Sequence, residues 1–330
     1  MFRLLFLALV ISALSCSVLA EMPVVNGVKN WHSVKFKNEL LLNLHLYLYE
    51  LARDKDLHND LKEGGTLSVE EQEIFDLVIG EYRKYGAGKN IHIIRSNSEI
   101  SDLTALLLSH HAVKQGSVEN ILYTYINNLT TIYKAKLWPV HEARNLNWYQ
   151  NLKSKLDVYG DRVSSSLEKL FDEKLVLDEH TVNIVYKPGM RQGATTSGRS
   201  FQTIINSTYS EYTDWYAFEM FFHEISHANG VGRNSKLQRV INKEFSRLGL
   251  DNHKGIWHPI QFYTVGEIVK KVIFEDDSEY VPYAEIRGLY SGHWDYKVLL
   301  DKYWKPYLDG KVSMEVAISN IAVALSKKAA

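Results

Sequence analysis

The sequence predicts an α+β fold that is mostly α-helical, with a small β-sheet directly ahead of one chemically loaded helix. Up to about residue 177 the chain reads as a succession of apolar runs rich in helix formers. After about 178 the composition turns β-branched and alternating, in TVNIVYK (181–187) and SFQTIINST (200–208). The next long apolar run contains FFHEISHANG (221–230), two histidines four residues apart around a glutamate.

The first twenty residues, MFRLLFLALVISALSCSVLA, carry one early positive charge at Arg3, then an apolar stretch, then Val18 and Ala20 where a signal peptidase prefers small residues. The apolar run is too short to cross a bilayer, so 1–20 reads as an export signal and the mature protein as periplasmic or secreted. Cys16 closes the sequence ALSC, a loose match to a bacterial lipoprotein box with alanine where leucine is usual. Lipid anchoring through Cys16 is the alternative. It is the only cysteine, so either processing leaves a chain without disulfides, and core packing must hold the fold. Cleavage also removes Arg3, taking 38 basic against 39 acidic residues to 37 against 39, a formal charge of −2. That near-neutral balance argues against nucleic acid or an anionic membrane as the main partner. No second segment is long and apolar enough to span a bilayer.

A helical region is expected over 21–177. The run 35–54 is long, apolar and helix-forming, and Ser68 with Glu71 forms a capping box opening a helix to about Tyr85. IHII (91–94) has the make-up of a short strand. Helices follow over about 99–114, 118–136 and 141–172, with Pro139 marking the break before the last. The two strands come next, separated by the glycine-containing loop PGMRQGATTSGR. Thr213 and Asp214 can cap the following helix, and Gly230 suits a left-handed stop after it. No repeat or Pro/Gly-rich linker divides the chain, so 178–330 forms either one compact domain with 21–177 or a closely packed second one.

The spacing in FFHEISHANG has a chemical reason. Residues i and i+4 lie above one another on a helix, so His223 and His227 can offer imidazole nitrogens to one metal ion. Glu224 stands beside them, placed to take a proton from a water on that metal. Phe218, Met220, Phe221 and Phe222 make the helix apolar, an environment in which an unpartnered polar pair would be costly.

Through FFHEISHAN and the strands before it, residues 180–275 resemble the zincin metallopeptidases. That resemblance implies a zincin-like catalytic region over 178–330, Zn2+ as cofactor, a peptide or protein substrate, and an edge strand along which substrate can lie. In the metzincin branch a further ligand follows six residues after the second histidine, but Arg233 stands there, although Gly230 matches the branch's glycine. The gluzincin branch takes its third ligand from a glutamate on a later helix, and GEIVKK resembles that arrangement, which points to Glu267. Glu267 also lies inside an apolar helical run, 256–274, in which Pro259 fits the first turn. His258 is the rival ligand, or else a transition-state donor. Nine positions separate the two, which puts them on opposite faces of one straight helix, so both cannot serve one ion. Tyr290, His293 and Tyr296 are candidate oxyanion donors, or aromatic packing of the last helices. FYTVGE, YVPYAEIRGLYSGHWDY and KYWKPYLDG resemble a group of exported bacterial proteins, a likeness that brings no activity with it. The expected function is a zinc metallopeptidase, against two alternatives: a zinc amidase acting on cell-wall peptides, or a non-catalytic envelope protein with a structural zinc.

Overall fold

The computed structural model describes residues 31–87, 92–94, 98–109, 118–188, 194–197, 200–290 and 296–329. The export signal, Cys16 and His293 lie outside the described residues. The chain is mostly helical with one four-stranded sheet, the α+β class expected. It divides into two compact units.

The first unit holds the described residues of 37–143 and 185–188. Its helices are α1 (Leu40–Arg53), α2 (Lys55–Glu63), α3 (Val69–Tyr82), α4 (Glu99–Ser109) and α5 (Val118–Lys136). Helix α1 is apolar nearly all round because α3, α4 and α5 pack about it, burying Leu42, Leu44, Leu46, Leu48 and Leu51. The capping box is present: the Ser68 hydroxyl accepts from the Glu71 N–H at 3.2 Å, and Glu71 Oε2 accepts from the Ser68 N–H at 2.8 Å. His45 is a core histidine, bonded to the Tyr82 hydroxyl (2.7 Å) and the Thr104 hydroxyl (3.0 Å). Where a strand is expected at IHII, the described residues 92–94 show none. Ile93 and Ile94 are buried in a turn.

The second unit holds the described residues of 30–36, 144–184 and 189–330. Helix α6 (Trp138–Phe171) belongs to it from Arg144 onward. A change of secondary structure falls around 177/178, and the longest stretch of the first unit meets the second unit at 143/144, within α6. Pro139 sits in the first turn of α6, where its missing N–H has no helical acceptor to lose. The strands are β1 (Lys35–Lys37), β2 (Thr181–Val185), β3 (Ala194–Ser197) and β4 (Gln202–Asn206), in the order β1-β2-β4-β3. Strand β3, absent from the sequence reading, is one of the two edge strands and pairs antiparallel with β4, with Thr196 opposite Thr203.

Helix α7 (Asp214–Ser226) follows and lies against β3 and β4. Its phenylalanines are clamped by Trp31, whose indole meets Phe221 and Phe222 edge-on at 5.8 and 5.7 Å between centroids. The same indole lies over Gly160, where an added Cβ would fall 2.7 Å from it, so only glycine fits. The remaining elements are α8 (Lys236–Arg247), a 3-10 turn (Asp251–Ile256), α9 (Trp257–Val272) and α10 (Tyr283–Ile286). The chain then forms α11 (Lys297–Leu299), a π turn (Leu300–Trp304), α12 (Lys305–Leu308) and α13 (Met314–Ala329). Helix α9 packs on both α7 and α10. Among the described residues, no helix is long and apolar enough to cross a membrane.

Candidate metal centre

The turn between β4 and α7 sets the direction of the site helix. Asn206 Oδ1 accepts from the backbone N–H groups of Thr208 (2.5 Å) and Tyr209 (2.9 Å), an Asx turn that ends the strand. Thr213 is the N-cap of α7, but its hydroxyl donates back to the Ser210 carbonyl at 2.9 Å rather than capping the helix. At the other end His227 is the C-cap with helical φ/ψ of −61° and −26°, so the i,i+4 relation to His223 holds. Gly230 does not adopt the left-handed stop read from the sequence. It is needed for space, since a Cβ there would lie 3.0 Å from both the Phe171 ring and the Ser226 carbonyl.

Helix α9 lays one face on α7. Gln261 donates from Nε2 to the His223 carbonyl (2.7 Å) and to the Ser226 hydroxyl (2.8 Å), pinning the two helices together. The Phe262 ring stacks on the His223 imidazole at 3.7 Å between centroids. His258 lies one turn before Phe262 and so shares that face. Its Nε2 comes to 3.3 Å from His223 Nε2, and His227 Nε2 comes to 3.2 Å from the same atom. The ligand atoms of the three histidines all lie within 4.8 Å of one another. Three imidazoles on one tetrahedral zinc, with bonds of about 2.0–2.1 Å, would stand about 3.3 Å apart. Burial and the two neighbouring imidazoles hold His223 well below the ordinary histidine range, so it offers a lone pair rather than a proton. The donor set and its spacing fit a zinc ion.

Glu267 is not in this cluster. It points from the opposite face of α9, where Oε2 accepts from Lys305 Nζ at 2.5 Å beside a shallow cavity edged by Lys270, Lys271 and Phe274. The half-turn offset between positions 258 and 267 explains the separation. His258, held in the sequence reading as the rival, is the residue the structure brings to His223 and His227.

Glu224 is buried beside the histidines. Its Oε2 accepts from the Thr196 hydroxyl at 2.7 Å, and burial pushes its carboxyl up to about 7 against that bond's opposite effect. The Thr196 contact had no counterpart in the sequence reading, because ATTS lies in what reads as a glycine-containing loop. The Tyr290 hydroxyl is buried without a partner among the described residues, and the Tyr296 hydroxyl is bonded to His253 Nδ1 at 3.0 Å.

One turn before His223, Glu219 is fully buried. It accepts from the Tyr280 hydroxyl and, at 3.0 Å, from the Tyr283 N–H, while Oε1 has no partner among the described residues. Gly266 lets the segment around Pro282 approach, as a Cβ there would lie 2.6 Å from Pro282 Cβ and 3.1 Å from Glu219 Oε1. Burial raises the Glu219 carboxyl from 4.5 to about 7. The unfolded chain then releases this proton near 4.5 and the folded chain only near 7. Its contribution to stability is full below 4.5, declines as pH rises through 7, and is constant above. Glu219→Gln should remove a pH-dependent loss on the order of 3 kcal/mol between those limits. Urea midpoints of the metal-free variant at pH 4.5 and 8 would show it, and a pH slope equal to wild type would refute it.

Compared with protein-family models, with curated proteins and with solved structures, the chain has no significant match.

Proposed function

We propose that this chain is an exported zinc-dependent peptidase, with His223, His227 and His258 as the metal ligands and Glu224 as the general base. The observation that carries the reading is the convergence of three buried or half-buried Nε2 atoms beside a buried carboxylate. A zinc ion with three histidine ligands supplies an acidified water at its open position. The three imidazoles would hold the ion from two helices. Gln261 fixes those helices to each other, and Glu224 would take the proton. A purely structural zinc needs no base beside it, whereas here a carboxylate is kept in the core and held by a strand hydroxyl.

Peptide is the favoured substrate because β3 is an edge strand and its Thr196 touches Glu224. An extended peptide can add to such an edge through main-chain hydrogen bonds, which brings a scissile amide to the carboxylate. Export rests on the sequence of residues 1–20, with lipid anchoring at Cys16 the alternative to free release. Purified protein should contain about one zinc per chain and cleave an unfolded test protein such as casein, with loss on chelation and recovery on adding zinc. Less than about a tenth of that zinc, after growth with the metal, would overturn the metal assignment. Cleavage of peptidoglycan fragments but not of casein would replace the peptidase with the amidase.

A further inference from the structure

We propose that Thr196, Thr203 and His180 form a one-way hydrogen-bond chain that positions Glu224; this rests on the reading of Glu224 as general base. The links are short and continuous. His180 Nε2 lies 2.7 Å from the Thr203 hydroxyl, that hydroxyl 2.7 Å from the Thr196 hydroxyl, and the latter 2.7 Å from Glu224 Oε2. The sheet register builds the middle link, since Thr196 and Thr203 are direct cross-strand partners and their side chains share one face. His180 and Thr203 are both wholly buried and Thr196 is half-buried, so the His180 end of the chain is closed to solvent.

Its direction follows from counting protons. Each threonine hydroxyl has one to give. Thr196 gives its proton to the carboxylate, so its oxygen must accept from Thr203. Thr203 must then accept from an Nε2–H on His180. Burial lowers His180 to about 4, so the ring is neutral at physiological pH, and with its one proton on Nε2 the Nδ1 is left bare. That nitrogen is buried and has no partner among the described residues. A bare lone pair is tolerated in such a place far better than an orphaned N–H, which the opposite polarity would strand there. Both ends of the chain select the same direction. Its consequence is that Oε2 always receives a donor and is fixed, while Oε1 is the oxygen presented to the water.

The test uses the zinc-loaded full chain. Thr196→Val keeps the β-branched shape but removes the donor. It should leave zinc content and KM unchanged and lower kcat at least tenfold, the scale of a misplaced catalytic group. Thr196→Ser should restore most of the rate. Independently of activity, the 15N signals of the His180 ring, assigned by their loss in His180→Gln, should report a single Nε2–H tautomer in wild type. In Thr196→Val the Thr203 hydroxyl loses its acceptor and can turn to His180, so both tautomers should appear. An Nδ1–H ring in wild type, or full kcat in Thr196→Val with zinc retained, would overturn the proposal. If wild type binds zinc and shows both NMR results yet hydrolyses no peptide, the chain stands and the peptidase reading alone falls.

Discussion

Replacing His258 with alanine is expected to strip the metal from the protein while leaving it folded. The change deletes one of three protein ligands. Even residues that merely orient ligands are worth about 10–100-fold in metal affinity, so loss of a ligand should exceed that range. The ring sits half-buried at the start of α9, so its removal empties little of the core. Glu267→Ala is the paired control. It breaks one partly exposed ion pair with Lys305, with side chains 20% and 45% accessible, a contact of the class worth about 0–1 kcal/mol. Its zinc should stay. Elemental analysis of both variants after dialysis against a weak chelator decides the matter. Zinc kept by the His258 variant and lost by the Glu267 variant would return the third position to the glutamate.

That contest shows what a sequence can and cannot say about such a site. The pairing of His223 with His227 was legible because it depends only on the period of one helix. The third ligand depends on which face of α9 meets α7, and periodicity fixes faces without saying what they touch. The half-turn between positions 258 and 267 required a choice. The pattern around 261–262, a glutamine and a phenylalanine with no charge beside His258, was the available hint that this face is the packed one. In the first unit, the helix carrying the capping box was readable because its start signal is local. At IHII the described residues 92–94 show a turn, because an apolar run this short is compatible with either conformation. The short strands β1 and β3 escape a sequence reading for a different reason: KFK and ATTS carry almost no pattern, and their pairing partners make them strands. Thr196 was hidden with β3, and with it the support of Glu224.

Glu224→Gln should bind zinc and fold like wild type yet lose hydrolysis by about 10²–10⁴, the usual worth of a positioned general base. The substitution is nearly isosteric. Its side-chain oxygen can still accept from the Thr196 hydroxyl, now 2.7 Å from Oε2, so the geometry next to the histidines is kept. What the amide lacks is basicity. It also ends the burial of an ionisable group, and since the Glu224 carboxyl is raised by burial, the folded protein is not expected to suffer from the loss of charge. Zinc content and the denaturation midpoint therefore serve as internal controls for the rate. A structural zinc predicts no functional difference between the two proteins, and an enzyme in which Glu224 merely packs predicts a loss of a few-fold at most. Glu224→Asp separates the remaining possibilities, because it keeps a carboxylate but withdraws it by one methylene from both Thr196 and the water. If position matters as much as basicity, the aspartate variant should fall between wild type and glutamine, and a glutamine variant with full turnover would remove Glu224 from the mechanism.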